Sequence, residues 1–156
     1  MQRGGLMISK ILVPTDGSKA SQKAAIYAVD LAKHFKATVI ALSIVDKRGI
    51  MVQALPAGET AKQVIEPIGD YMRKAAEVYV GEIKKLCNKK GVLSKTVITT
   101  GHPVECIVKE ASKAKVDLIV LGSHGKSALA ATILGSITYG VIHKDTKIPV
   151  LIVKGK

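Results

Sequence analysis

Residues 116–136, VDLIVLGSHGKSALAATILGS, set an almost unbroken apolar run directly against Gly-Ser-His-Gly. A short apolar run of this kind, bounded by a glycine turn, reads as a strand buried on both faces, as in a parallel sheet. A strand, a glycine turn and then helix-compatible residues make up half of a βαβ unit. Gly125-Lys126-Ser127 resembles the end of a P-loop, which requires G-x-x-x-x-G-K-[ST]. Only two residues separate Gly122 from Gly125, and a glycine with four residues between it and Gly125 would have to stand at Val120, inside the strand. The turn is too short to wrap a β-phosphate in that manner. The dinucleotide fingerprint G-x-G-x-x-G belongs after the first strand, where this chain carries Thr15-Asp16-Gly17-Ser18.

The same alternation extends in both directions. Residues 8–14, ISKILVP, predict a first strand. Ser18 or Ser21 caps a helix to about Phe35, with Ala24, Tyr27, Ala28, Leu31, Ala32 and Phe35 at helical spacing. Residues 37–45, ATVIALSIV, predict a second buried strand. A long connection follows from Asp46 to about Glu66. Helical periodicity then runs through Ile65, Ile68, Met72, Ala76, Tyr79, Ile83 and Leu86, and Asn88 to Gly91 ends it. Leu93 to Thr100 predict a third strand. Pro103 opens a helix with Val104, Ile107, Val108 and Ala111 on its apolar face. After the fourth strand, at 116–121, comes a helix to about His143, and 148–153, IPVLIV, predict the fifth strand. Alternating strands and helices imply right-handed crossovers and a mostly parallel sheet covered on both faces, in one domain over 1–156 with its core at about 8–154. Ligands of such sheets bind beyond the strand C-termini, where strand order reverses. Two loops belong there: Thr-Asp-Gly-Ser after strand one and Gly-Ser-His-Gly after strand four.

The composition fits a folded chain: of 156 residues, 47% are hydrophobic and 23% charged. Aromatic residues make up only 3%, so the core is aliphatic. The net charge of +12 raises polyanion binding as a question. Lysine is spread along the chain, however, and basic residues interleaved with aromatics, which suit single-stranded nucleic acid, are absent. A solvated lysine-rich surface is the preferred reading. No run reaches the roughly eighteen apolar residues of a membrane helix, and no apolar leader precedes the first strand. A cytoplasmic protein is expected, with Met7 an alternative start. Cys87 and Cys106 are too few for a disulfide framework and are expected to be buried free thiols.

The glycines form a pattern of their own: Gly122, two residues, Gly125, nine residues, then Gly135-Ser136. Successive free N–H groups between a strand and a helix point at an anion, and the helix dipole assists. Gly135 falls inside the expected helix, where glycine costs about 1 kcal/mol relative to alanine. A close approach, a helix break or a phosphate arriving from the side would account for it, and in the last case Gly-Ser would supply a second wall for a triphosphate.

At these residues the chain resembles the universal stress proteins in their ATP-binding class, whose nucleotide motif is G-x2-G-x9-G-[ST]. Lys10 to Ser18 (KILVPTDGS), Gly101 to Pro103 (GHP) and Ile148 to Lys154 (IPVLIVK) share the likeness, and only 46–66 does not. The resemblance implies an α/β three-layer sandwich with a five-stranded parallel sheet in the order 3-2-1-4-5. That fold is Rossmann-like, of the adenine nucleotide alpha hydrolase kind. It also implies a homodimer pairing strands 148–153, and an adenine nucleotide, ATP or else AMP or ADP, between strands one and four. By that resemblance Pro14, Thr15 and Asp16 lie along adenine and ribose, and Ile44 contacts adenine. Gly122, His124 and Gly125 face ribose and phosphates, and Gly135, Ser136 and Ile137 hold the outer phosphates. Mg²⁺ or Mn²⁺ would ride on the phosphates, because the chain shows no metal-ligand cluster of its own.

Several residues keep two readings. Asp16 is either a ligand contact or a plain Asx-turn residue. His124 acts through its side chain or only through its backbone, and Lys126 meets phosphate or water. His102 starts a helix and borders the site, Asp46 begins either a lid or a plain loop, and His34 and His143 sit at helix ends. A nucleotide-dependent stress-response switch with an unknown protein partner is the expected function. A slow ATPase or phosphotransferase and a basic nucleic-acid binder are the alternatives, and no catalytic residue is assigned. Valine at Gly122 or Gly135 is expected to abolish nucleotide binding with the fold intact. Lysine at Leu151 or Val153 is expected to yield monomers.

Overall fold

The computed structural model describes residues 5–48, 61–125, 134–144 and 146–155. Its elements alternate: β1 (Lys10–Pro14), α1 (Lys19–Phe35), β2 (Thr38–Val45), α2 (Ala61–Lys90), β3 (Ser94–Thr100), α3 (Pro103–Ala114), β4 (Leu118–Gly122), α4 (Ser136–Ile142) and β5 (Val150–Val153). All strand pairs are parallel, and the sheet order is β3-β2-β1-β4-β5. The order expected from the resemblance holds.

Strand residues alternate between two cores. Ile11, Val13, Val39, Ala41, Leu118, Val120 and Val153 face α1 and α2. Leu12, Ile40, Leu42, Ile119 and Leu121 face α3 and α4. Burial on both faces explains why these strands read as continuous apolar runs instead of alternating ones.

Local chemistry sets the helix ends. Ser18 caps α1 by accepting from the Ser21 N–H, and Lys36 closes the helix in the left-handed region at φ 58°. Pro103 opens α3, where its missing N–H costs nothing, and the His102 Nδ1 caps that helix by accepting from the Val104 N–H. Helix α2 starts at Ala61, earlier than its apolar spacing suggests, and carries Pro67 within it. The apolar spacing begins only at Ile65, so the sequence places the start too late. The rest of the expected lid, residues 49–60, lies outside the described residues.

The inward face of α1 consists of Ala20, Ser21, Ala24, Ala25, Ala28, Val29 and Ala32. Tyr27 and Phe35, assigned to that face from sequence, are 52% and 39% exposed. Small residues let α1 lie close to the sheet, and a large ring at either position would hold it off. Cys87 is buried and free, whereas Cys106 is free but only half-buried. Burial pushes the thiol pKa of both upward.

Ile119 is fully buried near the centre of the sheet. Ile119→Ala should lower the unfolding free energy by about 2–5 kcal/mol in urea denaturation. A loss near zero would contradict this account of the core.

Candidate functional site

The direction of the chain reverses between β1 and β4. From β1 it winds outward to β2 and β3, then returns to the other side of β1. The two central strands are paired in register only at Ile11–Leu118 and Leu12–Ile119, although they run on to Pro14 and Gly122. Backbone groups alternate sides along a strand. The carbonyl of Ser9 and the N–H of Thr15 both bond to the β2 side, so position 14 faces β4. Proline has no N–H to give there, and the strand ends part.

The gap is a cavity of about 100 Å³. Eight of the ten expected site residues line it: Pro14, Thr15, Asp16, Ile44, Gly122, His124, Gly125 and Ile137. Sequence reasoning missed Ser21, Leu42, Pro103, Ile107, Leu121 and Thr138 on its walls. Leu42, Ile107 and Leu121 carry the signal of a core, Ser21 and Pro103 that of helix starts, and only topology brings them to the gap. A second cavity of about 520 Å³ adjoins it, sharing Pro103 and Ile137 and adding Ser136, Arg48, His102 and Lys144. A small-molecule site needs about 300–1,000 Å³, so the first cavity suits one end of a ligand and the second extends it. The first is walled mainly by apolar side chains, and the second is rimmed by cations together with Asp46 and Glu105.

The β1–α1 turn is held from within. The Thr15 N–H continues the ladder to Leu42 O at 2.8 Å. Its hydroxyl lies 3.2 Å from Ser21 Oγ and accepts from the Gly17 N–H. Gly17 sits at φ 78°, with the Tyr79 ring packed where a side chain would otherwise be; this conformation suits glycine. Asp16 Oδ1 accepts from the Ser18 N–H at 2.9 Å, an Asx-type contact. Its Oδ2 points across the gap to within 2.7 Å of where a Cβ on Gly125 would stand. Asp16 thus shapes its own turn, as the Asx reading expects, and its other oxygen reaches the glycine loop.

The three signature glycines do different work. A Cβ on Gly122 would lie 2.8 Å from the backbone carbon and oxygen of Ala20. Gly122 is thus required for α1 to approach β4, and a valine there would not leave the fold intact as expected from sequence. Gly125 instead abuts the movable Asp16 carboxylate. Gly135 is the N-cap of α4 rather than an interior residue of a longer helix, so no interior helix penalty applies. Its N–H donates to Ser123 O at 2.7 Å, which brings the two halves of the motif together. The Thr138 hydroxyl donates to Gly122 O at 2.8 Å and reinforces the junction. His124 Nδ1 lies 2.9 Å from Ser123 Oγ. Lys126, along with the stretch from 126 to 133, lies outside the described residues.

Asp46 and Arg48 pair at 2.7 Å beside the second cavity. The hydrogen-bonded Arg48 guanidinium holds the Asp46 carboxyl below its ordinary range. Arg48 is exposed, so the pair contributes little to stability, and the guanidinium can exchange partners. Among the described residues, no group of three or more His, Cys, Asp or Glu side chains is placed to hold a metal ion. No described helix is long and apolar enough to cross a membrane.

The fold and this gap define a doubly wound α/β protein with a crevice at its switch point, where such folds place their ligands. The model of the universal stress protein family matches residues 7–154, and the chain belongs to that family. It is 36% identical to universal stress protein MJ0531 of Methanocaldococcus jannaschii, over 99% of this chain and 86% of that one. It is 35% identical to MJ0577 of the same organism, over 97% of this chain and 98% of the other. The solved structure of MJ0577 superposes with a TM-score of 0.81, covering 97% of this chain and 99% of that one. Universal stress protein UspA from Lactobacillus plantarum, 27% identical, superposes at 0.82 over 96% of this chain and 99% of its own.

The contrast between two glycines is testable by thermal unfolding. Gly122→Val should lower the melting temperature by several degrees, in line with about 1–3 kcal/mol of overpacking. Gly125→Ala should stay near the parent value, because the Asp16 side chain can move. Equal losses would contradict the division of labour between them.

Proposed function

We propose that this chain is an adenine-nucleotide-binding regulatory protein, which binds ATP at the β1–β4 gap and acts as a nucleotide-dependent switch in a stress response. The observation that carries this is the convergence of two kinds of wall at one crevice. An apolar end, with Pro14, Leu42 and Ile44, suits a flat base. It passes into the Gly122–Gly125 loop and then to Ser136, whose hydroxyl suits phosphates, while Gly135 lines neither cavity and gives its N–H to Ser123 O. Asp16 would accept from the ribose hydroxyls or the adenine amine. Arg48 and Lys144 border the wider cavity, where the outer phosphates would lie. Mg²⁺ or Mn²⁺ would be bound chiefly by phosphate oxygens and water, as magnesium commonly is.

Proteins of the same fold have been solved with adenine nucleotides. One is a universal stress protein in complex with cAMP, 23% identical with a TM-score of 0.66. Another, from Archaeoglobus fulgidus, is in complex with dAMP, 19% identical with a TM-score of 0.62. They support the fold's capacity for such ligands, and the choice of ATP over AMP or ADP here rests on the wider cavity beside Ser136. Hydrolysis would require a base or water-orienting group in line with the terminal phosphate, whereas a switch requires only differential binding.

At one hundred times its dissociation constant, ATP with Mg²⁺ should stabilise the protein by about 2.7 kcal/mol, a rise in melting temperature of roughly 5–10 °C. AMP should give less, and Gly125→Ala, which crowds Asp16, should shrink the ATP shift. A shift equally large in Gly125→Ala and Ser136→Ala would remove the proposed cradle.

The homodimer belongs to the same proposal. β5 is an edge of the sheet, and exposed edges of this kind are usually covered or paired. Leu151 on it is 36% exposed. Val153 is only 6% exposed and packs in the core, so lysine there would unfold the protein and could not report on assembly. Leu151→Lys is the informative variant: light scattering should give a monomer, and a persistent dimer would place the interface elsewhere.

A further inference from the structure

Ser123 stands between the glycine loop and the edge of the sheet, and sequence reasoning gave it no role. It is 4% exposed and all its polar groups are engaged. Its N–H donates to Val153 O at 2.9 Å, and its carbonyl accepts from the Gly135 N–H at 2.7 Å. Its hydroxyl accepts from the Gly155 N–H at 3.0 Å and lies 2.9 Å from His124 Nδ1. The segment after β5 packs closely here, since a Cβ on Gly155 would lie 3.3 Å from Ala20 Cβ.

The donor count around this hydroxyl decides a tautomer. A serine oxygen has one hydrogen to give. With Gly155 donating to it, the buried hydroxyl needs an acceptor for its own hydrogen, because an unmade buried hydrogen bond is costly. Among the described residues, His124 Nδ1 is the acceptor placed within reach, and accepting there puts the proton of a neutral imidazole on Nε2. His124 lines the first cavity.

We infer that Ser123 is a positioning residue: it fixes the His124 imidazole in the Nε2–H tautomer and in one orientation at the ligand cavity. It does so only while Gly155, beyond the edge strand, donates to its hydroxyl. The relay runs from the backbone of the chain after β5, through one serine oxygen, to a side chain at the site. It rests on the proposed nucleotide reading only for its consequence, which is that the imidazole is held in one orientation beside the ligand.

The test has two arms. The first reads the imidazole nitrogen shifts of His124 by NMR at a pH where the ring is neutral, assigned with a His124→Gln control. The parent protein should show the Nε2–H tautomer. Ser123→Ala should give a mixture, Ser123→Thr should restore the parent pattern, and Gly155→Pro, which removes the donor and keeps the hydroxyl, should give a mixture as well. An Nδ1–H tautomer in the parent overturns the inference without any variant. So do unchanged shifts in Ser123→Ala, or in Gly155→Pro for the relay from β5. The second arm measures ATP affinity, which should weaken roughly three- to tenfold in Ser123→Ala, the effect of one lost hydrogen bond, and recover in Ser123→Thr. Parent-like affinity in Ser123→Ala overturns the link to the ligand. Failure of the parent to bind ATP, with the tautomer as stated, removes the nucleotide reading and upholds the positioning role.

Discussion

The parallel pairing of β1 with β4, broken off where Pro14 has no N–H to give, makes the rest of this molecule possible. Right-handed crossovers carry the chain outward from β1 to β3 and then oblige it to return on the far side of β1. Helices α1 and α2 cover one face and α3 and α4 the other. Loops leaving adjacent strands in opposite directions cannot close over the same ground, so a crevice stays open between them. The crevice follows from chain topology and one missing donor, before any side chain is chosen to bind anything.

The side chains then refine that opening. Gly122 allows α1 to settle against β4, and this puts the β1–α1 turn within reach of the glycine loop. Asp16 uses one oxygen to hold its own turn and directs the other across the gap. Ser123 ties Gly135, His124, Val153 and Gly155 to a single residue. A site assembled in this way is firmly packed at its apolar end, where strand ends are buried, and more open toward Arg48 and Lys144, where exposed cations can rearrange. That gradient suits a ligand with a flat apolar end and a charged tail.

Much of this could be read directly from the residues. The strands were legible because burial on both faces makes each one a continuous apolar run. The loops were legible because glycine and Asx residues mark strand ends. Tyr27 and Phe35 misled, because helical spacing identifies a stripe but not which side of it is crowded by the sheet. The start of α2 was missed because apolar spacing begins only at Ile65, four residues into the helix. Gly122 was read as a ligand contact, yet the pressure on it comes from Ala20, a hundred residues distant in sequence and visible only after folding. Leu42, Ile107 and Leu121 were missed at the site for the complementary reason. Their chemistry is that of a core, and only the parting of two strands turns their ends toward a cavity.

The central claim is that the β1–β4 gap holds an adenine nucleotide. Calorimetric titration of the purified protein with ATP and Mg²⁺ at physiological salt tests it most directly. The account predicts saturable binding at micromolar concentration, with one nucleotide per chain, that unlabelled random-sequence DNA does not displace. The absence of binding heat, from protein shown by denaturing extraction to carry no nucleotide already, would contradict it and leave the glycines as elements of the fold alone.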